Sequence, residues 1–287
     1  MKVFIIGTGL IGGSLALDIQ EKYSEAVIYG VDANDEALTE AKELNIIHKK
    51  ATFADLNIAD IVIVSTPVDV AITLIPKVLD EVTDTCLVLD VGSTKEKICD
   101  VLKEHPKRRN FLATHPIAGT EFSGPKAALK NLYKGKTNII CEVEKTAFKL
   151  QEKALEIFSN IGMRIRYMDA KSHDKHIAYV SHLSHISSFM LGKTVIEKEK
   201  NERDIFDMAG SGFASTVRLA KSSPDMWTPI FEQNKENVIE TLNEYIQNLH
   251  YFKQLIEEDK FSEIHSEMKN TNHIKQILNG IKEVKLQ

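Results

Sequence analysis

An apolar run from Lys2 to Ile6 feeds directly into Gly7-Thr8-Gly9-Leu10-Ile11-Gly12, and an acidic residue, Asp32, stands about 20 residues beyond the last glycine. This pattern constrains the fold more than any other in the chain, because it demands a strand, a tight turn and a helix in that order. Gly7 permits the turn, Gly9 lets the backbone approach a pyrophosphate, and Gly12 lets the helix pack on its own strand. The free N–H groups and positive dipole end of the helix then favour phosphate without any basic side chain. Ser14 to Ile19 read as that helix, and Ala26 to Val31 read as a second apolar strand ending at Asp32. A solitary glycine pattern recurs by chance in turns; the flanking elements make this one a dinucleotide site.

Asp32 also selects the cofactor. A carboxylate at the tip of the second strand accepts from ribose hydroxyls and repels the extra phosphate of NADP. No lysine or arginine lies between Val31 and Glu36 to offset that repulsion. NAD is therefore expected, the plainer reading of Asp32 being a solvated residue at a strand end.

The chain has 287 residues and a formal net charge of -5. Its length fits two domains, each with its own core. The mixed charges offer no basic stripe for nucleic acid. Cys86, Cys99 and Cys141 are widely separated and form no C-x-x-C pair, so neither a disulfide framework nor a metal site is expected. With a strand starting at residue 2 and no apolar run of membrane-spanning length, a cytoplasmic protein without membrane contact is expected.

Apolar strand runs recur at Ile61 to Val64, Leu87 to Val91 and Phe111 to Ala113. Helical patterns lie between them, at Glu36 to Leu44, Val70 to Leu79 and Thr94 to Leu102. The alternation predicts an α/β fold with a Rossmann-type doubly wound sheet. Ligands collect at the carboxyl ends of such strands. Ser65-Thr66-Pro67, Gly92-Ser93-Thr94 and Thr114-His115-Pro116 all fall there, and Ser65, Thr66 and Pro67 join the glycine turn as expected cofactor contacts. A loop over Ile117 to Lys136, a strand near Asn138 to Cys141, a helix near Thr146 to Phe158 and a strand near Arg164 to Met168 complete the expected NAD-binding domain, residues 1–168. Residues 169–287 read as an all-helical domain. Phe231, Val238, Leu242, Tyr245, Leu249, Phe252 and Ile256 make an apolar seam along one long helix, suited equally to an internal core or to a homodimer interface.

His115 is the foremost candidate for chemistry, since it follows a strand at the cofactor edge and imidazole exchanges protons near neutral pH. Ser93, at the neighbouring strand end, is placed to orient that ring or to cap the helix at Thr94. His173, His176, His182 and His185 crowd a short stretch, but helical geometry does not converge them on a metal. It puts Asp174, His182 and His185 on one face and His176 opposite, which suggests a lined pocket. Gly210 opens a break in the helical run, followed by Arg218 and the only tryptophan, Trp227. Arginine offers a bidentate fork to a carboxylate, and an indole plane can bound an apolar ring. An ion pair for Arg218 and core packing for Trp227 are the plainer alternatives.

Taken together, G-T-G-L-I-G-G-S at Gly7 to Ser14, H-P-I-A-G-T-E-F-S-G at His115 to Gly124 and S-H-L-S-H at Ser181 to His185 closely resemble the prephenate dehydrogenase family of tyrosine biosynthesis. The likeness spans nearly the whole chain. It implies that His115 is the catalytic histidine with Ser93 as its partner, and that Arg218 binds a substrate carboxylate. By the same likeness Thr120 and Glu121 belong to the site loop, while His182 and His185, with Asp174, Gly210 and Trp227, belong to the helical-domain pocket. Ser184 departs from the proline found in many relatives and leaves both histidines in place. The implied reaction is oxidative decarboxylation of prephenate by NAD, in a homodimer built through the helical domain. Aromatisation drives that reaction, so no metal is expected.

Arogenate dehydrogenase, acting on the amino counterpart of the substrate, is the nearest alternative. A beta-hydroxyacid dehydrogenase would carry a catalytic lysine where this chain has its histidine pair, and a non-catalytic NAD-sensing regulator would not need His115, Ser93 and Arg218. With no chorismate mutase segment ahead of the glycine turn and little chain after the helices, a single-activity form is expected.

Overall fold

A strand covered on both faces needs an apolar sequence, and Ile61–Val64 meets that need throughout and Leu87–Asp90 as far as Leu89, with every residue of both buried. The computed structural model describes residues 1–200, 202 and 204–283. It contains two compact units, Met1–Lys235 and Glu236–Gln287.

In the first unit, β1 (Lys2–Ile6), α1 (Leu10–Lys22), β2 (Val27–Val31), α2 (Asp35–Glu43) and the two-residue β3 (Lys49–Lys50) build one half of the sheet. The other half comprises β4 (Ile61–Val64), α3 (Val68–Glu81), β5 (Leu87–Asp90), α4 (Glu96–Val101), β6 (Phe111–Pro116), β7 (Thr137–Cys141), α5 (Phe148–Asn160) and β8 (Arg164–Met168). The strand order is β3-β2-β1-β4-β5-β6-β7-β8, with β7 antiparallel to β6 and every other pairing parallel. Order reverses between β1 and β4, which opens a crevice at their carboxyl ends. One apolar layer lies under Val3, Ile5, Leu15 and Phe158, the other under Phe4, Val62, Val88 and Phe111, so the sheet is packed on both sides.

The expected α/β class and doubly wound sheet are what the chain forms. One strand end differs usefully. Rather than stopping at Ala113, β6 continues to Pro116, because His115 pairs with Ile139 and Pro116 with Asn138 across the antiparallel contact with β7. His115 therefore sits inside the sheet and not in the loop that follows it.

The helical segment begins with α6 (Ala170–Ile177), capped by the Asp169 carboxylate, which accepts from Ser172 N–H at 2.8 Å. A single π-helical turn, Ala178–His182, leads into α7 (Leu183–Glu199). Next come α8 (Ser211–Thr216) and α9 (Pro224–Gln233), which docks on α3 through Val68, Trp227 and Ile230. Thr94 Oγ1 donates to Gln233 Oε1 at 2.7 Å across the same contact. The segment from α6 to α9 thus belongs to the unit that holds the sheet.

The second unit carries α10 (Lys235–Glu257, the first residue of which closes the first unit), α11 (Phe261–Thr271) and α12 (Ile274–Glu283). The apolar seam does not run along one helix, since Phe231 lies on α9 and the chain turns at Asn234 before α10 starts. Along α10, Leu255 is buried, whereas Leu249, Phe252 and Ile256 are 50%, 38% and 48% exposed.

The carboxyl ends of β5 and β6 are tied by a buried ion pair. The Lys95 ammonium donates to the Asp90 carboxylate and, at 2.8 Å, to the carbonyl of Thr114; Asp90 also accepts from Gly92 N–H at 2.8 Å. Lys95 is fully buried. Breaking such a pair from one side leaves an uncompensated charge. Lys95→Met should therefore cost about 3–5 kcal/mol in denaturant unfolding. The double variant Asp90→Asn/Lys95→Met should recover much of that loss.

Candidate active site

At the glycine turn the physical demand on each residue can be measured. Gly7 adopts φ +93°, and a Cβ there would lie 2.7 Å from the Ser65 carbonyl oxygen. A Cβ on Gly12 would sit 2.2 Å from both the Gly7 carbonyl oxygen and Ser65 Oγ. Around Gly9 the space is open, with the nearest atom to such a Cβ, Gly124 N, at 3.8 Å. Ser65 Oγ donates to the Gly7 carbonyl at 2.7 Å and braces the turn from β4. The first turn of α1, starting at Leu10 and Ile11, has no side-chain cap. Its N–H groups are directed at the space an anion would fill.

Asp32 braces the same turn from β2. Thr8 N–H donates to Asp32 Oδ2 at 2.9 Å, and Asn34 N–H donates to Oδ1 at 3.0 Å. Thr8 Oγ1 also donates to Oδ2, at 3.2 Å, so Oδ1 is the oxygen that keeps acceptor capacity for a ribose hydroxyl. An open cleft of about 450 Å³ lies beside it, lined by Val31, Leu38, Ala51 and Phe53 among others, and suits an adenine ring. Lys50 also reaches this cleft, brought in by β3 from outside the stretch Val31 to Glu36, but its ammonium is held by Asp35 at 2.9 Å and Thr39 Oγ1 at 2.7 Å. Thr66 Oγ1, beside Pro67 where β4 gives way to α3, is buried without a hydrogen-bond partner among the described residues. The residues present fit a dinucleotide: a turn that admits no Cβ at Gly7 or Gly12 and leaves open space at Gly9, an uncapped helix start, a ribose acceptor and a buried hydroxyl without a partner among the described residues.

His115 projects from β6 and is half-buried. Its Nδ1 lies 2.8 Å from Nε2 of His173, and Nδ1 of His173 lies 2.7 Å from Oδ1 of Asp174. Asp174 is anchored in turn by Lys95 N–H, at 2.7 Å to Oδ1, and by Glu96 N–H, at 2.9 Å to Oδ2. His173 and Asp174 are each 1% exposed. Burial, the adjacent His173 and the nearby Lys95 ammonium hold the His115 imidazole well below the usual histidine range.

The structure thus departs from two expectations. The partner of the His115 ring is His173 and not Ser93, whose side chain makes no hydrogen bond among the described residues; nor does Ser93 cap α4, which begins at Glu96. Asp174 is not turned toward a substrate, because both its oxygens are occupied behind His115.

The other candidates converge through α7 and α9. Asn234 Nδ2–H donates to the Asp174 carbonyl at 2.7 Å and lies 3.2 Å from His182 Nδ1. His182 is buried edge-on against Trp227 and Phe231, and burial pushes it down to about 4. His185 stacks on Trp227 with ring centroids 3.5 Å apart, and its Nδ1–H donates to the Ser181 carbonyl at 3.0 Å. Arg218, half-exposed, donates to Glu121 Oε2 at 3.4 Å, which brings the Thr120-Glu121 loop to the helical segment. Thr120 Oγ1 itself accepts from Phe122 N–H at 3.3 Å. Gly210 stands exposed at the start of α8, and a Cβ there would meet nothing within 4 Å. His176 is exposed on the opposite face of α6, as helical geometry anticipates. Asn234 and Lys95 escaped the sequence reading, and His173 entered it only as one of four crowded histidines. The His173-Asp174 dipeptide carried a local signal, an imidazole next to a carboxylate on the buried face of α6.

Family models match the chain over most of its length: "Prephenate dehydrogenase, nucleotide-binding domain" over residues 15–167 and "Prephenate dehydrogenase, dimerization domain" over residues 169–270. Prephenate dehydrogenase of Bacillus subtilis is 29% identical over 261 residues, covering 90% of this chain and 70% of that protein. The crystal structure of prephenate dehydrogenase from A. aeolicus, in complex with hydroxyphenyl propionate and NAD+, superposes with a TM-score of 0.90 at 33% identity, covering 97% of this chain and 98% of that one. Synechocystis arogenate dehydrogenase superposes with a TM-score of 0.76 at 25% identity, covering 97% and 100%.

The closed cradle at Gly12 gives a direct test. In Gly12→Ala the helix start must shift away from β1, and overpacking of this kind costs about 1–3 kcal/mol. Dinucleotide affinity, measured by calorimetric titration, should fall about tenfold or more, since 1.4 kcal/mol is one factor of ten.

Proposed function

The chain belongs to the prephenate dehydrogenase family, and on that premise we propose that it converts prephenate to 4-hydroxyphenylpyruvate and CO2 with NAD as the oxidant. The observation that carries this reading is a half-buried histidine fixed within β6, beside the nucleotide crevice and held in its neutral form. Bound NAD supplies the acceptor for the hydride that leaves C4 of the cyclohexadienol ring. Gly7, Thr8, Gly9, Leu10, Ile11 and Gly12 would hold its pyrophosphate and Asp32 its ribose, with Ser65, Thr66 and Pro67 as further contacts.

His115 is the general base. Its free ring nitrogen takes the C4 hydroxyl proton: the O–H bond breaks, the N–H bond forms, and a carbonyl develops at C4. The ring carboxylate then leaves as CO2, its bonding pair completes the aromatic ring, and the C4 oxygen, now a phenolate, takes back the proton held by His115 to give the 4-hydroxy group. Arg218 exchanges Glu121 for a substrate carboxylate, and the stacked His185 and Trp227 bound the pocket near it. Thr120 and Glu121 sit on the loop that meets Arg218. The protein works in the cytoplasm, and its apolar residues exposed on α10 pair two copies into a homodimer.

Purified protein offered prephenate or arogenate, each with NAD or NADP, should form NADH fastest with prephenate and NAD. Faster turnover of arogenate would reassign the side-chain preference, and no turnover of either would refute the activity. His115→Asn should lower kcat by about 10²- to 10⁴-fold, the range for a lost general base. Because the base must be neutral and its protonation is disfavoured, kcat/KM should hold as pH falls through 6.5 and decline only at more acid pH. Arg218→Ala should chiefly raise KM for the substrate; a loss confined to kcat would assign Arg218 to the transition state alone.

A further inference from the structure

We propose that His173 and Asp174 form a positioning relay that fixes the tautomer of His115 and steadies its charge once it has taken a proton. The inference deepens the reading of His115 as the base and rests on it for its kinetic part, while its structural part stands alone. The argument follows from donors and acceptors. Asp174 accepts two backbone N–H groups, from Lys95 and Glu96, and a carboxylate so placed presents oxygens that can only accept. The contact at 2.7 Å therefore requires His173 to donate from Nδ1–H. A neutral His173 then carries its lone pair on Nε2, where it can only accept. Its contact with His115 at 2.8 Å requires His115 to donate from Nδ1–H. That leaves the lone pair of His115 on Nε2, the nitrogen not engaged by the relay. In the other tautomer, two lone pairs would face each other at 2.8 Å.

The surroundings make such a device necessary. Facing His115 are the Lys95 ammonium at the start of α4, paired with Asp90 from β5, then His173 and Asp174 on α6 and His182 on the π turn. Lys95, His173 and His182 all resist a positive charge on the ring, and the Asp90 carboxylate is spent on Lys95. Among the described residues Asp174 is the remaining anion connected to the ring, and it reaches His115 through His173. When Nε2 takes the substrate proton, the Nδ1–H bond to His173 becomes charge-assisted, and Asp174 stands next in line. Both residues are buried behind the ring, at 1% exposure each, so both act through His115.

Nitrogen-15 spectra of histidine-labelled wild-type protein, with His115→Asn and His173→Gln used for assignment, read the tautomers directly. Both rings should carry their proton on Nδ1. Protonation of His115 on Nε2 would overturn the proposal, whatever the enzyme's substrate proves to be. In kinetics, His173→Leu removes the acceptor, and kcat should fall about 10- to 100-fold, a part of the loss expected for the base itself, with KM for prephenate and NAD within about twofold. The acid limb of the kcat profile should move to lower pH, since the imidazolium loses its link to Asp174. His173→Gln offers a side-chain carbonyl to the His115 N–H without an imidazole bridge to Asp174. It should recover part of kcat. Unchanged kcat and acid limb in His173→Leu, a loss lying wholly in KM, or no advantage of glutamine over leucine in a protein of wild-type melting temperature would each overturn the relay. If turnover of prephenate and arogenate is absent in the wild type while both rings are protonated on Nδ1, the functional reading fails and the tautomer assignment stands.

Discussion

The carboxylate of Asp174 is the joint on which this architecture depends. Its two oxygens accept the backbone N–H groups of Lys95 and Glu96, and so register α6 against the start of α4. Everything that the helical segment contributes is referred to that joint. His173 is its immediate neighbour, the π turn carrying His182 follows, and α7 then delivers His185 to Trp227. Asn234 closes the arrangement by donating to the carbonyl of the same aspartate. A buried carboxylate with donors on both oxygens is held rigidly, which is what the proposed proton-transfer site requires of its supports.

A second buried charge acts beneath it. Lys95 sends its backbone N–H to Asp174 and its side chain inward to Asp90 and the Thr114 carbonyl, so one residue links the ends of β5 and β6 to the helical segment. This explains why α4 starts at Glu96 and not at Thr94. Lys95 is the N-cap of α4, and its N–H and that of Glu96, free of partners within the helix, are capped by the Asp174 carboxylate. It also places an ammonium close to the candidate base, where it favours a neutral imidazole.

Much of this was legible in the sequence, for reasons that are local. The glycine turn, the apolar strands and the crossover helices announce themselves through spacing, and they fall where the sequence puts them to within a few residues. What escaped depends on partners distant along the chain. The extension of β6 to Pro116 requires pairing with β7, and no property of residues 114–116 alone reveals it. His173 meets His115 across a separation of 58 residues, and grouping it with its neighbouring histidines as a metal question concealed that meeting. The seam from Phe231 to Ile256 looked continuous because a seven-residue gap preserves helical phase across the break at Asn234. Ser93 was assigned by adjacency of strand ends, which fixes a neighbourhood but not which side chain fills the hydrogen bond.

The inclusion of His115 in a paired strand separates two properties that loops usually combine. The ring's position is set by the ladder between β6 and β7, while the rim that would discriminate among substrates lies on the following loop, from Ile117 to Gly124, and on Arg218. Changes in the length or composition of that rim would leave the proposed base anchored to the scaffold. The design keeps the chemistry constant and leaves the choice of reactant free to diverge.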